Sequence, residues 1–176
     1  MAKNYVDGSD TFEAWRQNRS AIAVWAIGTF EQHGYHLPLM TDALLGEHLA
    51  RRVAEHFQAA LLPTLPFGTS LEHKGFRGSM TLPPKILMGI VKQVASELEA
   101  QRFRFLFIVN GHGGNFILGP TVREINRADR KIKVLLVNGW EHRRTGSPGD
   151  IHSGKIETSM VLALRPDLVG QDRPRH

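Results

Sequence analysis

The sequence predicts an α/β protein, a three-layer α/β/α sandwich on a mostly parallel central sheet, formed as a single domain over residues 1–176. Two observations carry this. Short, largely apolar runs recur along the chain, as strands covered on both faces require. Between them lie stretches whose apolar residues repeat at helical spacing. Strand and helix in alternation imply a parallel sheet held between helices. No repeat or low-complexity segment divides the chain, and 176 residues suffice for one core.

The first apolar run, Ala21 to Ile27, reads as a strand. Leu44, Leu45, His48, Leu49, Val53, Ala54 and Phe57 then mark a helix, with Thr41 or Asp42 as its N-cap. Ala60 to Leu65 is the second strand. A helix follows from Pro83-Pro84, where a missing N–H costs nothing, and carries Ile86, Leu87, Ile90, Val91, Val94, Ala95 and Leu98 on one face. Phe103 to Val109 is the third strand, about Phe116 to Arg130 the third helix, and Ile132 to Val137 the fourth strand. A last helix runs from about Lys155 to Leu164 and stops before Pro166. Open parallel sheets bind ligands beyond the carboxyl ends of their strands. Glu31 and His33 follow the first strand, Ser70 and Glu72 the second, His112 the third and Trp140 the fourth.

Chemistry concentrates in one segment. Glu31, His33, His36 and Asp42 all lie within the stretch from Gly28 to Asp42, and carboxylate oxygens with imidazole nitrogens suit a borderline divalent ion such as Zn²⁺, Mn²⁺ or Fe²⁺. Glu31 and His33 are two apart, so on extended backbone they point to the same side. Asn110-Gly-His-Gly-Gly-Asn115 sets His112 where little side-chain bulk obstructs a ligand. The chain has no cysteine, which excludes disulfides, thiolate zinc sites and a cysteine nucleophile and leaves any metal to His, Asp and Glu. His36 reads as a structural histidine that orients the Glu31 loop, and His48, His56, His142 and His176 as solvated. No GxSxG elbow accompanies Ser70, so a serine nucleophile is not expected.

The formal charge of +5 is dispersed over helix faces and the two ends, with its largest clusters at His142-Arg143-Arg144 and Arg173-Pro174-Arg175-His176. Without a nucleic-acid module, this reads as a solvated surface and not a nucleic-acid interface. No apolar run approaches the roughly 18 residues of a membrane span, and no basic segment leads into an apolar one at the N-terminus. The expectation is a cytoplasmic protein without a membrane partner.

Four blocks, GxxEQHGxHLPLxTD, GxSxEH, NGHGGN and HxGxxETS, occur in that order between Gly28 and Ser159. Together they resemble the creatininase family of metal-dependent amidohydrolases. Members usually continue beyond the position where this chain ends, which implies a missing C-terminal strand and helix. The resemblance implies one or two divalent ions per chain (Zn, Mn or Fe): Glu31, Asp42 and His112 hold one, His33 and Asp42 the other, with Asp42 bridging. In the family's namesake enzyme the position matching Gly114 carries a glutamate that completes the second site. Glu157 is the replacement candidate here, as a ligand and as part of the catalytic apparatus; its bland alternative is a first-turn glutamate that suits the helix dipole. His152 matches the histidine that assists proton transfer, and an ordinary pKa near 6.5 suits that task.

Ser70 matches a substrate-contacting position, and Glu72 and Gly113 are counted with it as substrate-binding. The aromatic positions that enclose creatinine correspond here to Gly113 and to Pro148-Gly149, and Lys155 stands where the family usually has Glu. The expected substrate is therefore a small, non-peptide amide other than creatinine, anionic or larger, such as a formamidopyrimidine phosphate. Known family chemistry spans creatinine hydrolysis, deformylation of such a nucleotide, and peptide cleavage in redox-cofactor maturation. Ring-like hexamers are common in the family, so a homo-oligomer is expected by resemblance. The competing reading is a non-catalytic, metal- or ligand-binding member acting as an oligomeric scaffold. A scaffold, however, has no need of Glu31, His33, Asp42 and His112 together.

Overall fold

A computed structural model describes residues 3–139 and 151–172. Trp140, His142, Pro148-Gly149 and His176 lie outside the described residues. The chain forms α1 (Phe12–Gln17), β1 (Ile22–Ile27), α2 (Thr41–Phe57), β2 (Ala60–Leu61), α3 (Pro84–Ala100), β3 (Phe105–Asn110), α4 (Leu118–Arg127), β4 (Lys133–Asn138) and α5 (Lys155–Leu164). The sheet order is β2-β1-β3-β4 and the pairings between these strands are all parallel.

Alternation along the strands sorts side chains into two apolar layers. Ala23, Trp25 and Ile27 of β1, with Leu106 and Ile108 of β3, pack against Leu87, Val91 and Ala95 of α3 and Leu118, Val122 and Ile125 of α4. Val24 and Ala26, with Val109, face Ala50 and Ala54 of α2 on the other side. α5 packs beside α2 through Leu37, Leu45, Val161 and Val169. The expected three-layer α/β/α arrangement is thus present.

Three details depart from the sequence expectation. Met40, not Thr41 or Asp42, is the N-cap of α2, and it makes no side-chain cap bond. Thr41 Oγ1 instead donates to the Pro38 carbonyl at 2.7 Å, and Asp42 lies in the first helical turn, where a negative charge suits the dipole. β2 is only two residues long because Pro63 has no N–H to give the ladder, although Leu62 and Leu65 still donate to Val24 and Ala26. α1 has no buried residue, so no apolar period announced it; Thr11 caps it by accepting from Ala14 N–H.

The buried face of α2 also differs from the pattern of large residues. Ala43, Gly46, Ala50 and Ala54 are buried, together with Leu45, whereas Leu44 and Leu49 are only partly so. Small residues there let the helix lie close against the sheet. The chain's path sets the functional edge: from β1 it goes to β2 on one side and then to β3 on the other. The crevice at the carboxyl ends of β1 and β3 is the switch point where such sheets bind ligands.

Candidate metal centre

Two glycines bring the site together. A Cβ on Gly28, just after β1, would lie 2.4 Å from Ala43 Cα, and one on Gly111, just after β3, 2.3 Å from the Asp42 carbonyl. With hydrogens there, the first turn of α2 reaches into the crevice and delivers Asp42 between the β1 and β3 loops. Thr29 Oγ1 then donates to Asp42 Oδ2 at 2.6 Å.

Glu31, His33, Asp42, His112 and Glu157 converge and are all buried. His112 Nδ1 lies 2.8 Å from Asp42 Oδ2 and 3.3 Å from Glu31 Oε1. His33 Nε2 lies 3.4 Å from the other Asp42 oxygen and 3.9 Å from Glu157 Oε2. Within each of two triads, Glu31–Asp42–His112 and His33–Asp42–Glu157, one donor atom per residue lies within 4.8 Å of the others. Asp42 belongs to both. A third group of the same kind is Glu31, His33 and His152.

Each imidazole is oriented by its outer nitrogen. His33 Nδ1 lies 3.1 Å from the Glu31 carbonyl, His112 Nε2 3.1 Å from Glu72 Oε1, and His152 Nε2 2.7 Å from the Gln32 carbonyl. Those acceptors call for N–H on the outer side and turn the other nitrogen toward the carboxylates, as metal-ligating histidines are usually held. Glu157 is fixed by the Ser153 N–H, which donates to Oε2 at 2.6 Å.

Electrostatics match a site for a cation. Burial pushes the Glu31 carboxyl up to about 7, with His112 opposing it. Burial lowers His33, but the adjoining Asp42 and then Glu157 outweigh that and raise it to about 9. Asp42, despite burial, is held below the ordinary carboxylate range by His112 and His33. Among the described residues, Glu31 Oε1 and Oε2 and His33 Nε2 are buried without a hydrogen bond. A buried carboxylate is costly unless paired or coordinated to a metal, and this mixed oxygen and nitrogen set is what borderline divalent ions accept. The residues fit such an ion.

A cavity of about 500 Å³ opens over the centre, with Asp42, Glu72, His112, Gly113, His152 and Glu157 in its wall. His73, which carried no role in the sequence reading, is in that wall too. Its Nε2 lies 3.3 Å from Glu31 Oε1, its ring stacks on His152 with centroids 4.4 Å apart, and Gln32 Nε2 lies 2.9 Å from its Nδ1. The only signal was its place at the end of the Gly68-to-His73 block. Ser70, expected at the substrate, is buried and not part of the wall. Lys155 is exposed and equally absent from it, because it precedes Glu157 by two positions on a helix and points elsewhere. His36 is buried and its Nε2 lies 2.8 Å from Thr158 Oγ1, tying the Glu31 loop to α5.

Gly114 has no room for a side chain: a Cβ there would come within 2.3 Å of both Glu72 Oε1 and His112 Nε2. A side chain at this position would have to displace Glu72 and His112 from where they now sit, whereas Glu157 reaches the same centre from α5. Gly113 has open space beside it.

A family model described as Creatininase: Creatinine amidohydrolase matches residues 9–176. The creatinine amidohydrolase of Pseudomonas putida is 32% identical over 199 residues, spanning 98% of this chain and 76% of that enzyme. The mycofactocin precursor peptide peptidase of Mycobacterium ulcerans (strain Agy99) is 33% identical over 158 residues, spanning 84% of this chain and 60% of the peptidase. A solved structure described as Creatininase Mn superimposes with a TM-score of 0.84 at 28% identity, over 98% of this chain and 78% of that one.

Proposed function

We propose that this chain, which belongs to the creatininase family, is a metal-dependent amidohydrolase that cleaves a carbon–nitrogen bond in a small amide. The observation that carries the reading is the sharing of Asp42 between two buried triads. Glu31, Asp42 and His112 would hold one ion, and His33, Asp42 and Glu157 a second. When bound, a divalent ion there supplies Lewis acidity for the amide carbonyl and lowers the pKa of water toward about 7.

The chain's own residues manage the proton. Burial holds His152 below its ordinary range, which favours the neutral ring. In that form it takes a proton from the attacking water and passes it to the leaving nitrogen as the C–N bond breaks and the new C–O bond forms. The Gln32 carbonyl fixes which ring nitrogen keeps its hydrogen. His73 stacked on one side of the ring and His33 tilted against it leave it little freedom to turn.

Substrate choice follows from the wall. Gly113 leaves open space where the family's namesake enzyme has an aromatic position, which favours amides bulkier than creatinine. The charge expected from Lys155 adds nothing at the wall, so a phosphate is not required. The same reading takes residues 1–176 as one domain that works in the cytoplasm and, by family resemblance, as a homo-oligomer. The test is metal analysis of the purified chain followed by hydrolysis assays with Zn²⁺, Mn²⁺ and Fe²⁺ on creatinine, formamides, cyclic amides and short peptides. Bound metal with turnover of a non-creatinine amide is the expected result. Bound metal with no turnover of any compound would favour the scaffold reading.

A further inference from the structure

Glu72 belongs to neither triad, yet its Oε1 lies 3.1 Å from His112 Nε2. The other nitrogen of that ring faces Asp42 at 2.8 Å and Glu31 at 3.3 Å. His112 is thus held between a carboxylate outside the centre and two inside it. The segment bearing Glu72 is docked on the glycine loop that bears His112: Thr69 N–H donates to Asn115 Oδ1 at 2.8 Å and Thr69 Oγ1 to the Gly114 carbonyl at 2.6 Å. Between them Gly114 leaves the line from Glu72 to His112 open, since a Cβ there would fall within 2.3 Å of both bonded atoms.

We propose that Glu72 is a positioning residue for the metal centre: it accepts the His112 Nε2–H and so fixes the ring with Nδ1 turned inward as a more basic ligand. This rests on the reading of Glu31, Asp42 and His112 as metal ligands. It departs from the sequence expectation that Glu72 meets the substrate. A carboxylate behind a ligating histidine orients the ring and strengthens it as a donor. Glu72 does this from a half-exposed position, with 49% of its side chain accessible, so the fold does not depend on its burial.

The experiment is a Zn²⁺ titration of the full chain by calorimetry, on the wild type, Glu72→Gln and Glu72→Ala. Glu72→Ala is expected to bind Zn²⁺ about 10- to 100-fold more weakly. Glu72→Gln, whose amide oxygen still accepts the hydrogen bond without the charge, falls between. The thermal midpoint of the metal-free chain stays unchanged in both, which separates positioning from a general structural role. In the Zn²⁺-loaded wild type the His112 Nε2–H proton resonance is expected downfield and slow to exchange, and in Glu72→Ala it moves upfield and exchanges. Equal Zn²⁺ affinity in the wild type and Glu72→Ala would overturn the proposal. A wild type that binds no Zn²⁺, Mn²⁺ or Fe²⁺ would instead overturn the metal-centre reading beneath it.

Discussion

Asp42 Oδ2 lies 2.8 Å from His112 Nδ1, although one residue opens α2 and the other follows β3. The carboxylate's second oxygen faces His33 at 3.4 Å. One side chain therefore joins two halves of a centre that no single loop supplies.

Removing that carboxylate abandons both triads at once. Asp42→Ala is expected to lose more bound metal than Glu31→Ala, His33→Ala, His112→Ala or Glu157→Ala, by elemental analysis of each purified variant. Full metal content in Asp42→Ala would end the bridging assignment. Asp42→Asn keeps the shape, including an acceptor for Thr29, but not the charge, so it should retain the fold and still lose metal.

Much of this was legible in the sequence because strands buried on both faces and helices with apolar stripes leave periodic traces. The order of elements, the carboxyl-end location and the two groups sharing Asp42 all follow from that pattern and the family motifs. What sequence could not disclose is contact between segments remote along the chain. His73 ends the Gly68-to-His73 block without any sign of its neighbours, and only the fold brings it onto Glu31 and against His152. Lys155 and Ser70 are motif positions too, yet neither is in the wall of the cavity, since a motif position says nothing of which way a side chain turns. Gly28 and Gly111 carry no side chain to leave a periodic trace, yet each marks a place where α2 comes too close for a Cβ.

That close approach predicts a structural cost. Gly28→Ala drives a methyl against the Ala43 backbone, whose Cα and N would both be 2.4 Å away, and backbone cannot swing aside as a side chain can. Destabilisation of at least about 1–3 kcal/mol is expected, the range for overpacking a tight interior. Denaturant unfolding of the metal-free chain measures it. Metal affinity should fall as well, because α2 is what positions Asp42, and an unchanged midpoint would show that α2 has slack.

His152→Ala is expected to keep fold and metal but lower kcat by about 10²-fold or more, the scale of a positioned proton donor or acceptor. Rates are to be compared at equal metal occupancy, since His152 Nδ1 is only 3.8 Å from Glu31 Oε1. Unchanged kcat would remove His152 from the chemistry. His73→Ala offers the contrast: it removes the ring stacked on His152 and should lower kcat less than His152→Ala.

The last prediction joins the buried charges to pH. His33, raised from 6.5 to about 9, stabilises the metal-free chain fully below pH 6.5 and loses that contribution as pH rises through 9. Glu31, raised from 4.5 to about 7, acts in the same direction: neutral in both states below pH 4.5, it carries the full penalty of a buried charge once pH has risen through 7. Asp42, whose pKa is lowered, contributes above 3.8 and loses that contribution only well into acid. The thermal midpoint of chelator-treated protein should therefore fall between pH 7 and pH 9, above the range in which His73 and His152, both held below their ordinary values by burial, act in the opposite direction. An ion needs these ligands deprotonated, so binding at pH 7 must expel protons, from His33 first and from the neutral fraction of Glu31. Calorimetric Zn²⁺ titrations at pH 7 in two buffers of different ionisation enthalpy should then give different apparent heats, and affinity should strengthen from pH 6 toward pH 8. Heats independent of the buffer would mean that neither His33 nor Glu31 yields a proton on binding, and the assignment of both as ligands would fall with that result.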